Sequence, residues 1–210
     1  MGGRFITFEG GEGTGKSTQL TRLKARLEAC GHSVLATREP GGTAGAEALR
    51  ALLVQGEAGR WSPLSEALLM YAGRNDHLER VIRPALARGD WVLCDRFADS
   101  TRAYQSEAGL VSADLIETLD RNVVGESQPH LTLIFMLPHA EGLKRALARG
   151  GAENRFESKG EAFHARLSGA WEAIAARYPD RCVLIDGSGT ADEIEARVWK
   201  VIEARLNPCP

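Results

Sequence analysis

The run Gly10-Gly11-Glu12-Gly13-Thr14-Gly15-Lys16-Ser17 spells G-x-x-x-x-G-K-S and combines three kinds of group that together handle a polyphosphate. Its glycines let consecutive backbone N–H groups converge on one point, and a helix starting there adds the partial positive charge of its N-terminus. Lys16 has the reach for β- and γ-phosphates, and the Ser17 hydroxyl is a ligand for Mg²⁺. The expected nucleotide-binding stretch covers residues 10–18, ending at Thr18. Its flanks match the setting this motif requires. Phe5-Ile6-Thr7-Phe8 reads as a short strand before it, and Leu20, Leu23 and Leu27 recur three and four apart after it, as on one helix face.

Such a loop serves many functions, so the rest of the chain must choose among them. A GTPase needs an N-K-x-D run to read guanine, and there is none. Asp186-Gly187-Ser188-Gly189 spells D-x-x-G but follows the last strand, where a switch loop has no use; Leu167-Ser168-Gly169 lacks the continuation of a transporter signature. What remains is arginine. Arg38 lies in the turn 37–43, Thr37-Arg38-Glu39-Pro40-Gly41-Gly42-Thr43, and Arg96 follows Asp95 at the start of the segment 95–105. Arg145, Arg149 and Arg155 surround Gly150-Gly151, a candidate lid over about 145–158 with a glycine hinge. An acceptor that is itself a phosphate monoester has a second pKa of about 6, is already mostly dianionic, and needs no general base. The obstacle is charge repulsion, which arginine forks and Mg²⁺ offset. Many arginines with no obvious catalytic histidine fit transfer between phosphates.

The elements that would carry these groups alternate as strand and helix, the pattern of a parallel α/β sheet. Strands are expected at about residues 4–9, 33–36, 91–94, 131–136 and 182–185. The intervening helices start near Lys16, 44, Ser62-Pro63, Asp99, Ser112 and His139, with one ending near Tyr178 and a last one over about 191–206. Gly31 suits the end of the first helix, and Pro84 is expected to bend or divide the helix it interrupts. In an open parallel sheet, ligands bind beyond the carboxyl ends of the strands. The three equipped turns therefore point to one crevice in a single domain, residues 1–210.

With 43% hydrophobic and 26% charged residues and a formal net charge of -2, the 210-residue chain has an ordinary globular profile. That balance argues against a general nucleic-acid or membrane-surface binder. No run approaches a membrane span and no secretory leader is recognised, so a cytoplasmic protein is expected. Cys30, Cys94, Cys182 and Cys209 show no C-x-x-C or Cys/His metal spacing and are expected as free thiols of a reducing cytosol.

The phosphate loop with Glu12, the T-R-E-P-G-G-T stretch at 37–43, and Asp95-Arg96-Phe97-Ala98-Asp99-Ser100-Thr101-Arg102-Ala103-Tyr104-Gln105 together closely resemble the bacterial thymidylate kinases, over about residues 4–206. The resemblance implies the three-layer P-loop nucleotide kinase fold, with a five-stranded parallel sheet flanked by helices, and a homodimer. It implies the reaction ATP plus dTMP to ADP plus dTDP with Mg²⁺, a step in dTTP synthesis. Carried over by position, Arg38 and Arg96 hold the acceptor phosphate, and Asp95 organises Mg²⁺ with Ser17. Glu12 meets the sugar 3′-hydroxyl or the metal's water shell. Arg74 bonds the thymine carbonyl, while Ser100, Thr101 and Gln105 line the base and sugar pocket and Tyr104 crowds the sugar 2′ position. A cis bond is expected before Pro40. Met70 stands where the family usually stacks a phenylalanine on thymine, and a thioether can serve there. Gly13 stands where some relatives carry arginine, so the resemblance assigns that charge to the lid, through Arg149 and Arg155. His77 coincides with a family position and receives no role. Two alternatives stay open. One is a kinase for another deoxynucleotide or for a nucleoside, with Glu12 or Asp95 as base; the other is a module that hydrolyses ATP without an acceptor.

Overall fold

A computed structural model describes residues 2–57, 59–138, 140–142, 144–145 and 161–209. Five parallel strands form one sheet in the order β2-β3-β1-β4-β5: β1 Arg4–Gly10, β2 Val34–Arg38, β3 Trp91–Asp95, β4 Leu131–Met136 and β5 Cys182–Asp186. The three inner strands are buried nearly throughout because helices cover both of their faces. On one face Ile6, Phe8, Leu93 and Leu133 pack against Leu20, Leu23 and Leu27 of α1 (Lys16–Ala29) and against Ile194, Val198 and Ile202 of the last helix (Ala191–Leu206). The opposite face splits into two groups. Phe5 and Val92 meet Leu78, Ile82 and Phe97, while Ile134 and Cys182 meet Leu167, Trp171 and Ile174. Helix, sheet and helix make three layers, the expected fold class.

Between strands lie α2 (Ala44–Val54), α3 (Pro63–His77), α4 (Arg83–Ala87), α5 (Ala98–Thr101), α6 (Ala113–Val123) and α7 (Glu161–Arg177); the last helix is α8. Ser62 caps α3 by accepting from the Ser65 amide, with Pro63 in its first turn. The effect of Pro84 falls one turn early. Its ring would crowd the carbonyl four residues before it, and the chain widens into a π-helical turn over Leu78–Ile82 before continuing as α4. A second π-helical turn, Arg102–Glu107, replaces the plain helix expected after Asp99 and carries Tyr104 and Gln105. The second strand extends two residues beyond expectation, so Arg38 is its final residue.

The cysteines need a correction. Cys30 and Cys209 form a disulfide with a Cα–Cα separation of 5.5 Å, and only Cys94 and Cys182 are free, both buried. The partners are 179 residues apart in sequence. They meet because α1 and α8 pack together and each cysteine follows the C-terminal end of one of them. Sequence spacing carries no trace of such a pair.

Candidate active site

Strand register assembles the crevice. Arg38 stands opposite Asp95 on the β2–β3 ladder and Phe8 opposite Asp95 on the β3–β1 ladder, so three strand ends open side by side. Gly10, Gly13 and Gly15 have φ of 126°, 69° and 91°. A side chain there would be strained, and a Cβ on Gly13 would run into the Gly142 carbonyl. Gly15 is the N-cap of α1, whose first turn carries no acidic residue, leaving the amides and the helix dipole free to face an anion. Lys16 donates to the carbonyls of Gly10 (3.1 Å) and Gly11 (2.5 Å) and to Thr14 Oγ1 (3.3 Å). Burial, and then the neighbouring Arg96 charge, lower its pKa from 10.5 to about 8. Beside it, Ser17 Oγ donates to Asp95 Oδ2 at 2.6 Å.

Arg96 is tied into this loop from β3. Its backbone has φ 67°, a left-handed conformation uncommon for any residue but glycine, and its amide donates to the Phe8 carbonyl at 2.9 Å. The guanidinium donates to Gly10 O (3.0 Å), Ser100 Oγ (3.2 Å) and Glu12 Oε1 (2.5 Å). Tyr104 OH donates to the same Glu12 oxygen at 3.2 Å, and the Tyr104 ring lies 5.2 Å from the guanidinium carbon. Burial disfavours the Arg96 charge, but Glu12, Asp95 and Glu9 outweigh it and raise the pKa. Glu9, fully buried at the end of β1, accepts from the Phe97 amide (2.8 Å) and from Ser100 Oγ (2.5 Å). Burial, reinforced by nearby Asp99, pushes its pKa up from 4.5 to about 7.

The 37–43 turn supplies the opposite wall. Arg38 Nη2 donates to both Glu47 carboxylate oxygens at 3.1 Å, and the Gly42 amide donates to Oε1 at 3.1 Å. That amide bond first, and Arg38 after the opposing effect of desolvation, hold the Glu47 carboxyl below its usual range. The Glu39–Pro40 bond is cis, as expected. Arg50 Nη1 donates to the Pro40 carbonyl at 2.8 Å. Arg74 is almost fully buried. Its Nε donates to Glu39 Oε2 (2.8 Å) and its Nη2 to Thr101 Oγ1 (3.0 Å), whereas Nη1 is buried without a hydrogen-bond partner among the described residues. Gln105 Nε2 donates to the buried Glu66 Oε1 at 2.7 Å, which leaves the amide oxygen for other partners.

One crevice is lined by Glu12 to Ser17, Arg38, Met70, Arg74, Asp95, Arg96, Ser100, Thr101, Tyr104 and Gln105. Gly10, Gly11 and Thr18 belong to the loop and helix start but do not line it. Arg149 and Arg155, and most of the 145–158 segment, lie outside the described residues. Arg145 is described, and donates to Glu141 Oε1 (2.5 Å) and Gly187 O (3.2 Å). Sequence reasoning gave no site role to Glu9, Glu39, Glu47, Arg50, Glu66 or His77. The one signal for Glu9 was a carboxylate interrupting an apolar strand immediately before the loop. As a divalent-metal site, the hydroxyl of Ser17 and carboxylate of Asp95 form a hard-oxygen pair in direct contact. Among the described residues there is no group of three or more His, Cys, Asp or Glu that could hold a metal. That sparse donor set suits Mg²⁺, which takes one or two protein oxygens and completes its shell with water and phosphate.

A family model described as thymidylate kinase matches residues 8–198. A thymidylate kinase of Caulobacter vibrioides is 61% identical over 97% of this chain and 98% of its own length. One of Bradyrhizobium diazoefficiens is 51% identical over 99% and 92%. A solved thymidylate kinase structure from Ehrlichia chaffeensis matches with a TM-score of 0.77 at 33% identity, covering 96% of this chain and 99% of that one.

Proposed function

The chain belongs to the thymidylate kinase family, and on that premise we propose that its crevice holds dTMP and ATP end to end for in-line transfer of the γ-phosphoryl group. The reaction is ATP plus dTMP to ADP plus dTDP, and the enzyme is a kinase that needs a divalent metal. The loop amides, the start of α1 and Lys16 bind the β- and γ-phosphates. Arg38 and Arg96 bind the acceptor phosphate, which attacks as a dianion without a general base. Their guanidiniums already sit against Glu47 and Glu12, so each carries a carboxylate that orients it before substrate arrives. Ser17 and Asp95 would hold Mg²⁺, which neutralises charge on the phosphates when bound. Arg149 and Arg155 complete the donor side.

The observation that carries the choice of base is Arg74 Nη1, a buried donor lining the crevice with no partner of its own among the described residues. A buried unpaired donor is costly, and a thymine carbonyl would satisfy it. Met70 lies along the base, Ser100, Thr101 and Gln105 line its pocket, Glu12 faces the 3′-hydroxyl, and Tyr104 crowds a ribose 2′-hydroxyl. The same reading takes the enzyme as a cytoplasmic homodimer. Leu64 and Leu68, one turn apart on α3, and Leu52 on α2 are exposed apolar side chains available to a second copy. No described helix is long and apolar enough to cross a membrane. ADP release measured with dTMP, other monophosphates and thymidine side by side tests the substrate assignment; equal rates on several acceptors, or on none, would remove it.

A further inference from the structure

We infer that His77 is a positioning residue for base selection, acting through Glu39 to fix the Arg74 guanidinium so that Nη1, its one nitrogen without a partner among the described residues, meets the 4-carbonyl of the pyrimidine. This rests on the reading of Arg74 as the base contact. His77 is fully buried at the end of α3 and has a polar partner on each ring nitrogen. Nδ1 stands 3.0 Å from Glu39 Oε1, and Nε2 stands 2.8 Å from Thr37 Oγ1. A carboxylate only accepts, so Nδ1 carries the proton and donates. The other Glu39 oxygen accepts from Arg74 Nε at 2.8 Å. Thr37, His77, Glu39 and Arg74 thus form an unbroken chain running from β2, through the end of α3, to the crevice wall.

The geometry explains why the chain is needed. Glu39 and Arg74 are 5% and 2% exposed, and the Arg74 guanidinium carbon lies 4.7 Å from the Tyr71 ring and 5.1 Å from the Phe97 ring. Neither aromatic contact fixes rotation of the fork in its own plane. Two directional bonds do, one to Glu39 and one to Thr101. With Nε and one N–H of Nη2 engaged, Nη1 is the nitrogen left without a partner among the described residues, and its direction is set by the Glu39 carboxylate. His77 sets that carboxylate in turn. Gly42 makes room for the arrangement: at φ 91° it lies against the imidazole, where any Cβ would collide with Nε2. Thymine offers an acceptor at position 4, whereas cytosine offers an amino donor that would face Nη1 donor to donor. A correctly aimed Nη1 therefore both binds the first and rejects the second, and a loosened one does neither well.

Steady-state kinetics on the full chain, with ATP and either dTMP or dCMP, tests this with His77→Leu, His77→Asn and Arg74→Lys. Loosening the aim of one charge-assisted hydrogen bond, without deleting it, corresponds to roughly tenfold in affinity. His77→Leu should raise KM for dTMP about tenfold and cut the preference for dTMP over dCMP by a similar factor, with KM for ATP within about twofold. His77→Asn, which restores a donor near the Nδ1 position, should recover most of both. A folded His77→Leu enzyme with unchanged dTMP KM and unchanged preference, alongside an Arg74→Lys enzyme that loses both, would reduce His77 to a space-filler and overturn the proposal. Unchanged kinetics in Arg74→Lys would instead remove Arg74 from the base, and the reading beneath with it. Should His77→Leu fail to fold, Thr37→Val decides: it removes the Nε2 partner alone, so a threefold or larger rise in dTMP KM, on the order of one weakened hydrogen bond, supports the chain and an unchanged KM breaks it.

Discussion

Glu9 offers a test in which one buried proton governs stability across the neutral range. In the unfolded chain its carboxyl titrates near 4.5, and in the fold burial and then Asp99 hold the proton until about pH 7. Between those values the folded state binds the extra proton, so Glu9 favours folding fully below pH 4.5, and that advantage is lost as pH rises through 7. At about 1.4 kcal/mol per pH unit, ionising it inside the fold costs about 3 kcal/mol, with no solvent screening to discount because the side chain is fully buried. Glu9→Gln isolates the effect, because glutamine reproduces the protonated form. Its oxygen can still accept from the Phe97 amide, and its NH₂ can donate to Ser100 Oγ, which now accepts. Urea unfolding of both proteins at half-unit steps from pH 5 to 8 should give similar stabilities at the acid end. By pH 8 the variant should lead by about 3 kcal/mol, or roughly 6 to 12 °C in Tm for a chain this size. His130 also titrates differently in the fold, but Glu9 does not act on it, so it cancels in the difference; Lys16 loses only the weakest of the charges acting on it, that of Glu9, and its own change lies at the alkaline end of the range. A stability difference that stays constant from pH 5 to 8 would refute the argument.

Arg96→Ala should lower kcat by roughly 10³ to 10⁵, as expected for loss of an arginine on a transferring phosphate, with a folded far-UV spectrum; near-parental turnover would take Arg96 out of the site. Lys16→Met should abolish turnover yet be more stable at pH 7. A buried lysine whose pKa has fallen from 10.5 to about 8 destabilises the fold at every pH where it is charged, and its removal returns on the order of 1 to 3 kcal/mol in thermal melts. Cys30→Ser should cost about 2 to 4 kcal/mol by freeing a long loop in the unfolded state, and non-reducing peptide mapping should recover the Cys30–Cys209 pair from the parent protein.

The fold was legible because its signals are local. Apolar runs of four to six residues between helical periods specify a covered parallel sheet, and Ser62-Pro63, Ser112 and Gly31 mark helix ends through their own backbone chemistry. The departures come where a distant partner decides. The π-helical turn at Arg102–Glu107 sets Tyr104 over Arg96 and Gln105 against Glu66, contacts to residues 8 and 39 positions away that no local period encodes. Cys30 and Cys209 escaped for the same reason.

The arginines of the site were legible too, since strand ends beside a phosphate loop are where such residues are expected. Their counter-charges were not. Arg38 sits against Glu47, Arg74 against Glu39, and Arg96 against Glu12, with Glu9 holding the Ser100 hydroxyl that Arg96 also reaches. A cluster of guanidiniums without carboxylates would repel itself and, where buried, would pay desolvation with nothing in return. Each arginine that faces a substrate therefore implies an acidic residue behind or beside it. Glu12 lies in the phosphate loop and Glu39 in the 37–43 turn, but neither motif contains the arginine it pairs with; Glu47 arrives from α2 and is held by the Gly42 amide as much as by Arg38. The consequence reaches the chemistry. On the proposed reading, a phosphate dianion entering beside Arg96 would meet a guanidinium already paired with Glu12, so the free energy of binding would be the difference between two charge-assisted pairs, the incoming phosphate against the resident carboxylate. Such an exchange would keep the arginine fixed in direction throughout, favouring the crowded in-line geometry over tight capture of the free monophosphate.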